Sequence, residues 1–308
     1  MTDSRWGRRQ TPPASAERST FRTVLLLLGY MIAGSIGLFL LLYPMISNEL
    51  YENRQDGVIQ EYTTIVTDTK QDQALSDALA AARSYNQQRT TGVLHADDPF
   101  LVPVLPNEDG TQKSILDVSG NGVIATLSIP KLGLELPVYY GTDRETLEHG
   151  IGTLEVSSLP VGGTGTHSVL CGHSGLSSAR LFSDLSLMEE GDVFYINVLG
   201  ERLAYEVDQI KTVLPGDVSQ ITIDPMQDYC TLLTCTPIGQ NTHRLLVRGT
   251  RVEYVEEMEP ETPVTQEEPL RSVWLSEYLT SVFVSLCVVV VLAVVLLVVH
   301  FVRRRRRT

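Results

Sequence analysis

The sequence predicts an all-β domain, a barrel or a sandwich, that follows a helical segment and has an apolar segment on either side of these two parts. Residues 118–255 contain many short apolar runs separated by Gly and Pro, which is typical of strands. Residues 47–90 carry apolar residues at helical spacing. Residues 24–43 and 279–302 are almost free of charge, and 308 residues leave room for all four parts.

The two apolar segments predict membrane-spanning helices, because at about 1.5 Å per residue each is long enough for a bilayer core of about 30 Å. Arginines precede the first segment, and Arg303 to Arg307 follow the second, which favours cytoplasmic termini with residues 47–275 outside the cell. A cleaved signal peptide is the alternative for the first segment. Its apolar run is long for that, and no A-x-A cleavage site follows it.

The expected organisation has seven segments. They are a cytoplasmic N-terminus (1–23), a transmembrane anchor (24–46), an extracytoplasmic helical segment with a long loop (47–117), a β-domain (118–255), an acidic linker (256–275), a second transmembrane helix (276–302) and a basic cytoplasmic tail (303–308).

The helical segment is predicted from apolar residues that fall on one face of a helix. They form two groups: Val58, Tyr62 and Ile65, and then Leu75, Leu79 and Ala82. Gly57 and the Thr-rich run EYTTIVTDTK favour two helices over one. Residues 91–110 contain several prolines and acidic residues, and so predict a long irregular loop.

The strands of the β-domain are predicted from alternation and from turn residues. The runs are GVIATLSIP (122–130), LELPVYYG (134–141), THSVLCGH (166–173), two strands in DVFYINVLGERLAYEVDQI (192–210), DYCTLLTC (228–235) and HRLLVRGTRV (243–252). Helical signal in this domain is limited to DRETLEHG (143–150) and SSARLFSDLSLM (177–188).

Charge and cysteine content exclude some classes of function. The net charge is −13 although both termini are basic, so the central part is strongly acidic and a poor partner for nucleic acid. Cys171, Cys230 and Cys235 lie outside the predicted spans, an odd number that leaves at least one thiol without a disulfide inside the chain. No C-x-x-C or metal-spaced histidine pair occurs, so neither a metal nor another cofactor is expected.

Three residues could form a nucleophilic site. Cys235 ends an apolar run, His173 follows another run at a Gly-rich loop, and Arg244 opens the run after Cys235. A thiol with a pKa near 8.5 needs a neighbouring cation to become a thiolate, and a guanidinium group can stabilise an oxyanion. Spacing alone also allows a buried core thiol, a hydrogen-bonded histidine and a solvated arginine.

The runs TLLTC (231–235) and NTHRLLVRG (241–249) resemble the T-L-x-T-C signature and the arginine strand of sortases, the transpeptidases of Gram-positive cell surfaces. The stretches IPKLGLELPVYYGT, GTLEVSSLPVGGTGTHSVLCGHSGL and ARLFSDL are similar to the same family, in the same order, over about residues 120–253. The two spans and the helical segment resemble class C, the pilus-assembling sortases. Their lid carries an Asp-Pro-aromatic motif, which Asp98, Pro99 and Phe100 match.

The resemblance implies an all-β fold: an eight-stranded sortase-type β-barrel with an N-terminal helical segment and a lid loop, flanked by two transmembrane helices. It implies Cys235 as nucleophile, His173 as acid and base, Arg244 as oxyanion stabiliser and Thr234 as a residue that lines the site. In the resting state the lid is expected to place Phe100 against Cys235 and Asp98 near Arg244.

The implied reaction is cleavage of an LPxTG-like sorting signal between Thr and Gly through a thioacyl-enzyme, followed by transfer to a lysine of a pilin precursor. The expected partners are therefore pilin precursors and the cell membrane. The alternatives are a housekeeping sortase that anchors proteins to the cell wall, an extracellular cysteine peptidase and a non-catalytic membrane-tethered β-domain. Pro237 soon after Cys235 disfavours a papain-like helix start.

The chain departs from the family pattern at two places. Cys171-Gly172-His173-Ser174 stands where the family commonly has Thr-Gly-His-Arg, and Cys230 is unusually close to Cys235. In the resembling fold Cys171 and Cys230 lie on neighbouring strands. The sequence therefore allows two interpretations: the two cysteines form a disulfide, or they are two separate buried thiols.

Overall fold

The computed structural model describes residues 14–68, 72–88, 100, 115–217, 219–254 and 272–305. The chain divides into two units, Met1–Ile46 and Ser47–Thr308. The helices are α1 (Ala14–Asp68), α2 (Asp72–Gln87), α3 (Arg144–His149) and α4 (Val273–Arg305). Residues 14–46 of α1 are the described part of the first unit.

The second unit contains a closed β-barrel. Its strands are β1 (Val123–Ile129), β2 (Leu134–Tyr140), β3 (Ile151–Thr153), β4 (Thr166–Cys171), β5 (Val193–Val198), β6 (Glu201–Val213), β7 (Asp228–Thr236) and β8 (His243–Val252). The order around the barrel is β1-β2-β3-β4-β7-β8-β6-β5. The pairs β2–β3 and β4–β7 are parallel and the other pairs are antiparallel.

Side-chain alternation gives the barrel wall two apolar faces, because successive strand residues point to opposite sides. In β7, Cys230 and Leu232 belong to the main core inside the barrel, whereas Leu233 belongs to a second cluster. We call this second group the outer cluster. Its buried members are Leu147, Leu154, Val169, Cys171, Ile221, Leu233 and Leu246, and Phe100, Val156, Val213 and Ile223 pack against them.

The last turns of α1 and of α2 are hydrogen-bonded to the barrel and its loops. The Tyr62 hydroxyl donates to the carbonyl of Ile124 at 3.3 Å and accepts from the amide of Leu199 at 2.9 Å. The side-chain amide of Asn86 bonds to both backbone groups of Leu159: its Nδ2 atom donates to the carbonyl at 3.0 Å, and its Oδ1 atom accepts from the N–H at 2.8 Å. Both side chains are buried, so these bonds satisfy backbone groups shielded from water.

The structure confirms the predicted eight-stranded barrel with a helical segment before it, and β8 has the predicted bounds. β3 is a strand that the sequence pattern did not predict, because three residues are too short to show alternation. The helical reading of residues 177–188 is wrong: they form turns and one short 3-10 helix at Leu185–Leu187. Gly57 lies inside α1, and α2 is the second helix of the predicted pair.

The prediction of two membrane spans finds no support in the described residues, none of whose helices was found to be both long and apolar enough to cross a bilayer.

Candidate active site

Cys235 and Arg244 are direct partners in the antiparallel register of β7 and β8. Residues paired in this way project to the same face, with Cβ atoms about 5 Å apart. Cys235 is 6% exposed and Arg244 is 3% exposed. The Nη1 atom of Arg244 donates to the carbonyls of Asn241 at 3.0 Å and His243 at 2.9 Å. The turn before β8 therefore holds the guanidinium group on the same side of the sheet as Cys235.

His173 reaches the same row from β4, which runs parallel to β7. The last register pair of these strands is Cys171 with Leu233, so two further residues bring His173 level with Cys235. Residues at the same level of adjacent parallel strands project to the same face, and the strands lie about 4.8 Å apart. The sulfur, the imidazole and the guanidinium group therefore line one edge of the sheet.

Gly172, just before His173, allows a close approach between the loop and the barrel. A Cβ atom built on Gly172 would lie 2.6 Å from the Cδ1 atom of Ile151 and 2.7 Å from the Cδ2 atom of Phe182. Real Cβ atoms do not come this close, so a larger residue would push the backbone away. The amide of Phe182 in turn donates to the carbonyl of His173 at 3.0 Å. Packing and hydrogen bonding thus fix the loop that carries the imidazole.

Two hydroxyl groups tie this loop to β7. The Thr234 hydroxyl donates to the carbonyl of Gly172 at 2.7 Å, and the Ser174 hydroxyl donates to the carbonyl of Cys235 at 2.6 Å. Strand alternation puts Thr234 on the opposite face of β7 from Cys235. Thr234, expected to line the site, therefore supports the histidine loop from behind. Ser174 was noticed in the sequence only as a departure from the family pattern, which gave no sign of this contact.

Phe100 lies over the row of polar side chains. Its ring centroid is 5.5 Å from that of His173, at an interplanar angle of 52°. The Arg244 guanidinium carbon is 5.3 Å from the Phe100 centroid. The ring was expected against Cys235; it contacts His173 and Arg244, the neighbours of Cys235 in this row, and it also packs against the outer cluster. Asp98 and Pro99, the other predicted lid residues, lie outside the described residues.

Burial is the main electrostatic influence on the imidazole. It lowers the pKa of His173, because an imidazolium loses hydration there, and the carboxylate of Glu148 on α3 opposes this shift. Glu148 is itself bonded to the Arg144 Nε at 2.7 Å. The neutral imidazole is therefore favoured near pH 7, and a neutral imidazole can accept a proton.

The chain was compared with known proteins. The family model for the sortase domain matches residues 127–252. Among solved structures, sortase C of Streptococcus pneumoniae is 40% identical with a TM-score of 0.60, and the match covers 64% of this chain and 97% of that chain. Sortase C-1 of Actinomyces oris is 42% identical with a TM-score of 0.55, covering 58% of this chain and 99% of that one.

The chain belongs to the sortase family.

The similarity to class C pilus sortases inferred from the sequence is thereby confirmed, and so, at the level of the family, is the prediction of a cysteine transpeptidase. Among curated relatives, sortase A of Bacillus anthracis is 32% identical over 127 residues. That match covers 41% of this chain and 59% of the relative, which is less than two thirds of its length.

Cys171 and Cys230, for which the sequence allowed a disulfide, do not form one in this sortase; both are buried thiols. Cys230 is level with Ser168 and Cys171 is level with Leu233, so the two cysteines are three positions apart. An odd offset puts them on opposite faces of the sheet, and three residues of strand span about 10 Å. Burial raises the pKa of the Cys230 thiol, so this thiol stays protonated and unreactive.

His167 is a buried histidine of this sortase to which no role was assigned from the sequence. Its ring is fully buried, with Nδ1 2.9 Å from the carbonyl oxygen of Thr222 and Nε2 2.7 Å from the Thr231 hydroxyl. Burial lowers the pKa of His167 to about 4, so the ring is neutral. It links β4 and β7 to the loop before β7. A histidine inside an alternating strand was the only sequence signal.

Proposed function

We propose that this sortase is a cysteine transpeptidase that cleaves an LPxTG-like sorting signal between Thr and Gly and joins the new acyl group to a lysine amine of a pilin subunit. The row formed by Cys235, His173 and Arg244 on one face of the barrel wall is the observation that carries the proposal. The pilin substrate class is supported by the solved neighbour from Streptococcus pneumoniae, which is described in terms of its pilin substrate specificity.

In the first half-reaction the neutral imidazole of His173 accepts the proton of the Cys235 thiol, the resulting thiolate adds to the Thr–Gly carbonyl carbon, and a C–S bond forms. Negative charge develops on the carbonyl oxygen, and the guanidinium group of Arg244 stabilises it, an effect typically worth about 3 kcal/mol. His173 in its imidazolium form protonates the glycine nitrogen as the C–N bond breaks. The glycine-bearing fragment leaves as an amine, and the threonine acyl group remains as a thioester.

In the second half-reaction a lysine amine of another subunit adds to the thioester carbon. His173, now neutral, accepts the proton that the amine loses, the C–S bond breaks, and an isopeptide bond results. Water competes with the amine at this stage, so the thioester must be shielded. The ring of Phe100 over His173, together with the outer cluster, supports such shielding.

The outer cluster also supports a location for the donor peptide. Val169 on β4, Leu233 on β7 and Leu246 on β8 belong to it, and they share the face of the barrel wall that carries the three reactive groups. The apolar Leu and Pro of an LPxTG-like signal would bury their side chains against this floor. The scissile carbonyl would then lie between Cys235 and Arg244.

We propose membrane anchoring on sequence grounds. Residues 24–43 and 279–302 are nearly free of charge, and basic residues follow the second stretch. In the described helices, large apolar side chains such as Phe39 (60%) and Phe283 (67%) are exposed. Both termini would be cytoplasmic and the barrel extracytoplasmic. Anchoring the enzyme in the plane of its membrane-bound substrates would raise their effective concentration.

Mass spectrometry of the purified full chain with an LPxTG-like peptide tests the reaction class. A thioacyl adduct on Cys235 is expected in the wild type, and Cys235→Ala should give none. Addition of a lysine-bearing acceptor peptide should release the adduct as an isopeptide-linked product. Absence of any adduct would favour a non-catalytic domain. Transfer to wall precursor amines in preference to lysine would favour a housekeeping sortase.

A further inference from the structure

The regular pairing of β4 with β7 stops just before the reactive residues. Its last register pair is Cys171 with Leu233, and one more backbone bond follows, from the Gly172 amide to the Leu233 carbonyl at 3.1 Å. Beyond that point, side-chain hydroxyls hold the two segments together. They belong to Thr234 and Ser174, whose bonds to carbonyls across the gap are 2.7 and 2.6 Å long.

These two hydroxyl bonds bracket the imidazole along the chain. Thr234 holds the carbonyl of Gly172, immediately before His173, and Ser174 immediately follows His173 and holds the carbonyl of Cys235. Thr234 belongs to the motif that defined the resemblance, whereas Ser174 replaces the arginine common in the family. The Ser174 bond also ends on the nucleophile residue itself. The hydroxyl is buried, so water does not compete for it.

We infer that Ser174 is a positioning residue that sets the distance between the His173 imidazole and the Cys235 sulfur. The inference rests on the proposed transpeptidase function. Proton transfer needs the donor and acceptor within about 3 Å or one water of each other. A hydroxyl bond from the residue after His173 to the backbone of Cys235 links the two segments that carry the reactive side chains.

The geometry also makes Ser174 important for thiolate formation. An imidazolium close to sulfur stabilises the thiolate, and this stabilisation weakens as the distance between the two groups increases. Without the Ser174 hydroxyl, the loop after His173 loses this hydrogen bond to β7 and keeps the bond from the Phe182 amide to the His173 carbonyl on its other side. The imidazole can then move away from Cys235.

The test compares three variants of the full chain in detergent micelles. Ser174→Ala removes the hydroxyl, and Ser174→Thr keeps it. Ser168→Ala is the matched control, since Ser168 is a buried serine on β4 whose hydroxyl also donates to a backbone carbonyl, that of Leu159 at 3.0 Å. Cys235 alkylation by iodoacetamide is followed by mass spectrometry from pH 5 to 9, and transpeptidation is measured with donor and acceptor peptides.

We expect Ser174→Ala to lower kcat about tenfold or more with little change in KM, because a small misplacement of a reacting group is costly. Its alkylation profile should move to higher pH, since the thiolate has lost part of its imidazolium stabilisation. Ser174→Thr should restore both values, and Ser168→Ala should change neither, even if the two alanine variants lose similar thermal stability.

Wild-type kcat together with a wild-type alkylation profile in a folded Ser174→Ala variant would overturn the inference. The same shift in Ser168→Ala would also overturn it, because the effect would then be general loosening of β4. The alkylation readout needs no substrate. If Ser174→Ala moves the profile but the wild type forms no thioacyl adduct, the positioning role stands and the proposed function fails. An adduct in the wild type with no effect of Ser174→Ala gives the reverse result.

Discussion

Cys235 and Arg244 face each other across β7 and β8 as partners in the same register pair. Arg244 is buried, and the carbonyls of Asn241 and His243 hold its Nη1 atom. Its charge is therefore in position before any substrate arrives. A preorganised group of this kind does not have to reorient as negative charge develops on the substrate.

Arg244→Ala is expected to lower kcat for transpeptidation by about 100- to 1000-fold, because the developing oxyanion loses its cation. Arg244→Lys should recover only part of this loss, since an ammonium group lacks the planar fork of donors. Arg248→Ala is the control: Arg248 is on the same strand and pairs with Asp208, at 2.7 Å. A similar loss in both alanine variants would contradict the assignment of Arg244.

Phe100→Ala should expose the reactive row and raise the rate of Cys235 alkylation several-fold. The pKa of His173 should rise towards its ordinary value, because its lowering comes mainly from burial. Phe100→Leu keeps an apolar cover without a stacking ring, and should give an intermediate rate. Alkylation kinetics and NMR titration of the imidazole check these expectations. An unchanged alkylation rate in Phe100→Ala would show that the ring does not restrict access.

His167 should make stability depend on pH. Burial lowers its pKa to about 4, whereas the unfolded chain titrates near 6.5. As the pH falls from about 6.5 to about 4, the unfolded state takes up a proton that the folded state refuses. The free energy of unfolding should therefore fall over this range, by about 3 kcal/mol in total.

Urea unfolding at several pH values measures this contribution. His167→Gln can still hydrogen-bond but does not titrate, so the difference in unfolding free energy between wild type and variant should shrink towards pH 4. Parallel pH curves for the two proteins would count against the assignment.

Asn86→Ala should destabilise the fold by about 2 kcal/mol, because it leaves the buried N–H of Leu159 without its partner, whereas the carbonyl of Leu159 keeps its bond from the Ser168 hydroxyl. Gln88→Ala, an exposed change just after α2, is the control and should lie within about 0.5 kcal/mol of wild type. Chemical denaturation gives both values. Equal stability of the two variants would mean that α2 contributes little to the barrel.

Much of the barrel was readable from local pattern. The strand β8 was predicted with its observed bounds, and β7 to within one residue, because both have turn residues at each end. The three reactive positions could be proposed because Cys235 and Arg244 lie at facing ends of consecutive strands. His173 was proposed from its place after a strand and before a Gly-rich loop, but its proximity to Cys235 had no local signal, since nothing local indicates that β4 pairs with β7.

The remaining features depend on contacts between distant parts of the chain. The Ser174 bond to Cys235 joins residues 61 positions apart, and the placement of Phe100 depends on which loop closes over the sheet. The disulfide question needed the register, because one step along a strand changes the face on which a cysteine lies. The sequence pattern does not tell how β4 and β7 are aligned, and so does not tell whether the two cysteines face each other.

The parallel pairing of β4 with β7 affects when reactivity appears. Parallel neighbours need a long crossover, and β5 and β6 lie between these two strands in the chain, so we expect this contact to form late in folding. Before that moment Cys235 has its hairpin partner Arg244 but lacks the imidazole of His173. A newly made molecule therefore gains the complete row of Cys235, His173 and Arg244 only once its topology is complete.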